Sequence, residues 1–405
     1  QINRLGYKGF ITESGGGNSH TAILARSMNI PALIGARGVL ACLQHNSTVL
    51  LDTQRQIAII NPDSANIKKH KQAHKKDSVK RRHKSSGKGV LTKDKQQITL
   101  TTNIELPDET TATINSGADG IGLFRSEFLF MHRCDLPSED EQFEIYRTVL
   151  SAMHPLPVVI RTLDIGGDKM PEHADAIPIG VNPALGVRAI RYCLAMPDLF
   201  MTQLRALLRA AAIHDNLRIL LPMLAHPQEL QRSITLLEVA KEQLRVTQEI
   251  DVAMPPVGAM IEVPAAVFIM RALAKQLNFF SIGTNDLIQY IMAADRNDET
   301  LTSLCDPMHP AVLQMLALIV ENAKRTNLPV NLCGELASDV ELTPLMLGLG
   351  LRQLSMHPVA IEQVRGQIKQ TNCQTMHTIT RRVLQAQDPA SAREILKEGM
   401  RQQGQ

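Results

Sequence analysis

The chain has 405 residues, 44% hydrophobic and 20% charged, with a formal net charge of +3, a balance that excludes disordered and fibrous classes and allows more than one folded domain. No apolar run approaches the roughly 18 residues needed to cross a bilayer, and 3% aromatic content with a near-neutral charge argues against a nucleic-acid binder. Six cysteines (Cys42, Cys134, Cys193, Cys305, Cys333, Cys373) are scattered without CxxC spacing, which argues against a disulfide framework or zinc cluster and fits a reducing cytoplasm.

Residues 1–62 read as a small α/β piece. A short strand is expected at Gly9–Thr12, then a glycine turn at Gly15–Gly17 and a helix from about Ser19 that presents Ile23, Leu24 and Met28 and stops before Pro31. Two more strands are expected at Thr48–Leu51 and Ile57–Ile60. A piece of this size buries little apolar surface alone, so it is expected to pack on something else or to be incomplete. The chain opens on Gln1 rather than Met, which also points to a missing N-terminal part.

Residues 63–96 read as a basic linker. Positions 68–88 hold ten Lys and Arg against one Asp and end in a hinge-like Ser85-Ser86-Gly87. A solvated polar linker is the plainer reading of such a run, a patch for an anionic partner the other.

From residue 97 the pattern becomes short apolar strands alternating with helices. Strands are expected at Ile98–Ile104, Gly120–Phe124, Val158–Leu163, Arg218–Met223, Val257–Ile261, Phe279–Gly283, Val330–Leu332 and Gln353–Met356, with helices such as Gln203–Ile213 and Gln228–Leu244 between them. Continuous apolar strands separated by helices imply a parallel sheet covered on both faces. About eight such units over residues 97–405 predict an α/β fold with a closed (β/α)8 TIM-type barrel, the alternative being an open doubly wound sheet.

Polar residues recur at the ends of these strands: Arg125 after the second, Arg161 and Asp164 after the third, Glu262 after the fifth, Asn285 and Asp286 after the sixth, Cys333 and Glu335 after the seventh. In a barrel such positions converge on one mouth, where these folds place their sites. Singly, each has a plain structural reading as a surface ion pair or a buried small residue. Arg125, Arg161 and Arg296 offer guanidinium forks that match phosphate oxygens. Glu262 and Asp286 suit a hard cation such as Mg2+. Cys333 offers a thiol that could exchange a proton with carbon. Together these are the parts of a phosphoryl-transfer site.

The segments GGGNSHTAILARSMNIPALIG, GADGIGLFRSEFLFM, VIRTLDIGGDK, NPALGVRAIR, GAMIEVPAA, FFSIGTNDLIQYIMAADR and LCGELASD resemble the phosphoenolpyruvate (PEP)-utilising enzymes, and most closely enzyme I of the bacterial PEP:sugar phosphotransferase system or its nitrogen-related paralogue. The resemblance covers nearly the whole chain apart from the basic linker. It implies a partial phosphohistidine swivel domain at 1–62 ahead of the barrel. It further implies that His20 accepts the phosphoryl group, that Arg125, Arg161 and Arg296 clamp the PEP phosphate, and that Asn285 contacts substrate. Glu262 and Asp286 would hold Mg2+, and Cys333 would protonate the methylene carbon to give pyruvate. Arg188, in GVRAIR, matches a family arginine near the site. Beside His20, Asn18 stands where the family more often has Thr.

Family members carry a helical domain for the phosphocarrier HPr, and the first half of the swivel domain, ahead of the glycine turn. By this resemblance both are expected to be absent here, and loss of the relay to HPr is one expectation. A homodimer through the barrel is another. Two further readings stay open at this level: a fragment of a PEP synthase or pyruvate phosphate dikinase, and a PEP-binding protein that no longer relays phosphate.

Overall fold

The computed structural model describes residues 8–14, 30–53, 56–64, 66–68, 89–131, 133, 135–166, 182–296, 298 and 300–403. The chain divides into two units: Gln1–His83 with Asp295–Thr302, and Lys84–Ala294 with Ser303–Gln405.

In the first unit, β1 (Phe10–Ile11) pairs in parallel with β2 (Ala32–Leu33), and β3 (Val49–Asp52) pairs antiparallel with β4 (Ile57–Ile60). The strands at 10–11, 49–52 and 57–60 fall where alternation of apolar residues predicts them. β2 was not anticipated, because two residues carry no period to detect. None of the described residues of 8–68 is fully buried. The glycine turn, His20 and the expected helix lie outside the described residues, as does the basic run from residue 69 to 88.

The second unit is a closed parallel barrel. Strands β6 (Gln97–Ile104), β7 (Ile121–Arg125), β8 (Val158–Arg161), β9 (Leu217–Leu221), β10 (Val257–Ile261), β11 (Phe279–Gly283), β12 (Val330–Cys333) and β13 (Gln353–Met356) pair in chain order, and β13 closes on β6. The open-sheet alternative is thereby excluded. A short strand β5 (Val90–Leu91), within the stretch read as linker, pairs antiparallel with the start of β6.

Two separate apolar layers hold the barrel. Leu123, Val159, Leu220, Met260, Phe279 and Cys333, one from each of β7 to β12, form a cluster of their own among the strands. The larger core packs the other strand faces, such as Ile121, Ile160, Ile219, Ile261, Ile282 and Leu332, against the helices. This is why the strands read as unbroken apolar runs: both faces are buried.

Proline starts many of the helices. Pro197, Pro227, Pro264 and Pro310 each open one, since proline's missing N–H is no loss in the first turn. The helix expected from Gln203 therefore begins at Pro197, and the one expected at Gln228–Leu244 runs Pro227–Gln248. Asn327 then ends helix Pro310–Thr326 in a left-handed conformation.

Two strands stop earlier than their apolar sequence predicts. Leu163 does not continue β8, because its N–H donates to Gln203 Oε1 at 2.9 Å. Met223 does not continue β9: its φ is 56°, and its N–H donates to Glu262 Oε1 at 2.7 Å. In both places a side chain takes the backbone donor away from the sheet.

Candidate functional site

The strand register brings the expected residues to one end of the barrel. Arg125 and Arg161 are direct partners at the ends of β7 and β8, and Cys333, the last residue of β12, is the partner of Gly283. Glu262 follows β10 immediately, and Asn285 and Asp286 occupy the first turn of helix Thr284–Met292 that leaves β11.

Three carboxylates form the centre. Asp164, Glu262 and Asp286 each present a ligand atom, all within 4.8 Å of one another. Glu262 is 1% exposed. Burial above all, and then the negative charge of Asp164 and Asp286, push its carboxyl up to about 8 against the pull of Arg161 and Arg188. Gly283 is required beside it, because a Cβ there would stand 2.6 Å from Glu262 Oε2. Three oxygen donors held this close fit a hard divalent cation. Held there, such a cation would supply the positive charge that lets the Glu262 carboxyl ionise.

The arginines are tightly engaged. Arg161 Nη1 is 2.8 Å from Asp164 Oδ2, and Arg161 Nη2 pairs with Glu127. Burial works against the Arg161 cation, but Asp164, Glu127 and Glu262 outweigh it and hold the guanidinium above its ordinary value. Arg188 Nη2 reaches Asp164 Oδ1 at 2.8 Å, and its Nη1 is 3.7 Å from Asp286 Oδ1. Arg125 Nη1 pairs with Glu105 Oε1 at 2.5 Å. Losing one partner from a buried pair costs about 3–5 kcal/mol, whereas solvent screens exposed pairs such as Arg245–Glu242. Among the described residues, Arg161 Nε and Glu127 Oε2 are buried with no hydrogen-bond partner. An unmet donor and acceptor at a barrel mouth are what a polar occupant would satisfy.

Cys333 is 1% exposed. Its Sγ accepts from Ser281 Oγ at 3.4 Å and donates to the Ile282 carbonyl at 3.1 Å. Burial raises the thiol to about 11, so it keeps its proton at neutral pH. The following Gly334 has a φ of 104°, and a Cβ on it would collide with Thr284 Oγ1. That close approach lets the Glu335 N–H reach Asn285 Oδ1 at 3.3 Å, and Thr284 Oγ1 donates to the Cys333 carbonyl at 3.2 Å.

Seven of the eight residues singled out for the site are therefore described, and six belong to the barrel unit. Arg296 is half-buried in the segment Asp295–Thr302, which belongs to the first unit, and His20 lies outside the described residues. Sequence reasoning gave no role to Asp164 and overlooked Glu105 and Glu127. Glu105 was open to detection: it follows β6 as Glu262 follows β10.

Because Glu262 is raised above its unfolded value of about 4.5, its contribution favours the fold fully below pH ~4.5 and is lost as pH rises through about 8. The metal-free protein is expected to melt at lower temperature at pH 9 than at pH 6, and Glu262→Gln should narrow that gap. An equal gap in wild type and variant, measured by calorimetry in chelator, would contradict the shifted carboxyl.

A parallel barrel whose strand ends carry guanidinium groups, three close carboxylates and a protonated thiol has the donor groups to hold an anion beside a divalent cation. Residues 79–373 match the PEP-binding domain of the PEP-utilising enzymes, and residues 2–56 match their mobile domain. The chain is 43% identical over 402 residues to a phosphoenolpyruvate-protein phosphotransferase of Cupriavidus necator, covering 98% of this chain and 68% of that protein. It is 44% identical over 377 residues to one from Bacillus sp. strain S, covering 91% and 64%. To that of Bacillus subtilis it is 40% identical over 391 residues, covering 95% and 67%. The chain belongs to the phosphoenolpyruvate-protein phosphotransferase family, and it spans about two thirds of the length of these relatives.

Proposed function

We propose that this chain transfers the phosphoryl group of PEP to His20 and releases pyruvate, with Mg2+ as the cation at Glu262 and Asp286. The observation that carries the reading is the convergence of Arg161, Asp164, Glu262 and Asp286 in one buried cluster at the strand ends. The relatives' names favour it over a dikinase or synthase fragment.

In this reading Arg125, Arg161 and Arg296 hold the phosphate and Asn285 orients the rest of the substrate. Guanidinium donors aimed at the phosphoryl oxygens stabilise the charge that a loose transfer spreads over them. The bond between phosphorus and the enol oxygen breaks as a neutral imidazole nitrogen of His20 bonds to phosphorus. The pyruvate enolate left behind takes a proton at its methylene carbon from the Cys333 thiol, and water later restores that proton. Glu262 and Asp286 would hold Mg2+, which would supply positive charge against the anionic substrate. A neutral histidine is suited to this role near pH 7. The onward acceptor is a phosphocarrier of the HPr class, and the active assembly is a homodimer through the barrel, both by analogy with the family.

The test is incubation with radiolabelled PEP and Mg2+. Acid-labile label is expected on the chain and should be absent from His20→Ala. Equal labelling of the variant would remove His20 from the reaction. Absence of label from wild type, with PEP binding intact, would confine the function to the PEP half.

A further inference from the structure

We propose that the barrel interior carries a proton path that recharges the Cys333 thiol from the N-terminal end of the strands, through Asn331, an enclosed water and Ser281. The inference rests on the reading that Cys333 protonates the enolate. The thiolate left by that step must regain a proton, and product seated at the mouth covers the thiol on that side. Side chains inside the barrel divide into two walls. Leu123, Val159, Leu220, Met260 and Phe279 make an apolar wall that ends at Cys333, and the Phe279 ring is turned toward β10, where a Cβ on Gly258 would collide with it. From β11 through β13 to β6 the same face is polar. Side chains two apart share a face of a strand, so Ser281 goes with Phe279, and Asn331 with Cys333. The register sets Asn331 between Ser281 and Gln353, Gln353 beside Thr99, and Ser355 beside Thr101.

Exposure falls along the polar wall toward the thiol. Thr99 and Gln353 are half-buried near the start of their strands, Asn331 is 8% exposed, and Ser281 and Cys333 are each 1% exposed. Ser281 Oγ donates to Cys333 Sγ at 3.4 Å, while the thiol donates to the Ile282 carbonyl at 3.1 Å. Nearby groups of the wall satisfy one another: Ser355 Oγ donates to Asn103 Oδ1 at 2.6 Å, and Thr101 Oγ1 to the Leu354 carbonyl at 3.3 Å. Among the described residues, Asn331 Oδ1 is buried with no hydrogen-bond partner. A buried acceptor set between a hydroxyl and a half-buried amide is where an enclosed water completes the hydrogen bonding. In the chemical step the Cys333 S–H bond breaks as a C–H bond forms on the enolate. Ser281 then passes its hydroxyl proton to Sγ and takes one from the water on Asn331. That water is resupplied from solvent past Thr99 and Gln353, so one solvent proton enters for each pyruvate formed.

Such a path separates proton supply from cleavage of the carbon–hydrogen bond. In Mg2+-dependent exchange of pyruvate methyl protons with D2O, followed by NMR on the full chain, Ser281→Ala and Asn331→Leu are each expected to slow exchange about tenfold or more, a part of the 10²- to 10⁴-fold that a general acid or base contributes. PEP affinity should stay unchanged, because both side chains lie below Cys333, away from the mouth. The primary isotope effect, measured with trideuteromethyl pyruvate exchanging in H2O, distinguishes supply from cleavage. Once recharging limits the rate, the abstracted label returns to carbon, and the effect in both variants should be smaller than in wild type. Slower exchange with an undiminished isotope effect would show that Ser281 only tunes the thiol, and an unchanged rate in Asn331→Leu would remove the water; either result overturns the path. If Asn331→Leu does not fold, as judged by circular dichroism, the isotope effect in Ser281→Ala decides alone. Wild type that exchanges no methyl protons, or undiminished exchange in Cys333→Ser, would overturn the reading of Cys333 and this inference with it. Slow exchange in Cys333→Ser, with both interior variants like wild type, would overturn this inference alone.

Discussion

Cys333→Ser is expected to slow the Mg2+-dependent exchange of pyruvate methyl protons with D2O by about 10²- to 10⁴-fold, the contribution of one general acid or base, with little change in PEP affinity. Serine keeps the size of the side chain and its hydrogen bonds to Ser281 and Ile282 but is a far weaker acid than a thiol. The buried thiol, raised to about 11, remains protonated at pH 7. It is thus a ready donor to an enolate, and in reverse a base whose active form grows with pH. Wild-type exchange should therefore rise with pH between 6 and 9. NMR of the methyl signal follows both effects. Undiminished exchange in the variant would return Cys333 to its plainer description, a small side chain in the cluster with Met260 and Phe279.

The second large effect is expected at Glu262. Glu262→Gln should lower Mg2+ affinity by more than ~100-fold, since groups that merely support ligands already contribute 10- to 100-fold. PEP binding should then lose its dependence on the cation. The fold should survive, because the amide oxygen of glutamine can still accept from the Met223 N–H that Glu262 engages at 2.7 Å. Removing a buried charge that Asp164 and Asp286 oppose should even raise the melting temperature of the metal-free protein at pH 9. Loss of ligand binding with gain of stability separates a binding role from damage. Calorimetric titration of PEP with and without chelator measures the first, and thermal melting the second. An unchanged Mg2+ affinity would remove Glu262 from the cation site.

The (β/α)8 architecture was legible from the chain alone because eight strands buried on both faces must be written as apolar runs, and because proline marks many helix starts. The strand-end position of Arg125, Arg161, Glu262, Asp286 and Cys333 was legible for the same reason: a polar residue that ends an apolar run has only the mouth to occupy. Tertiary structure alone decided the pairing among them. Glu127 is two residues from Arg125 yet pairs with Arg161, and Asp164 joins Arg161 to Arg188, 24 positions further on. No period or spacing encodes such contacts, which depend on how neighbouring strands are staggered. The premature ends of β8 and β9 belong to the same class. Apolar sequence continues through Leu163 and Met223, but Gln203 and Glu262 from elsewhere in the chain capture their N–H groups. Local sequence thus determined which residues reach the barrel mouth, and long-range hydrogen bonds and ion pairs decided which partners they meet there.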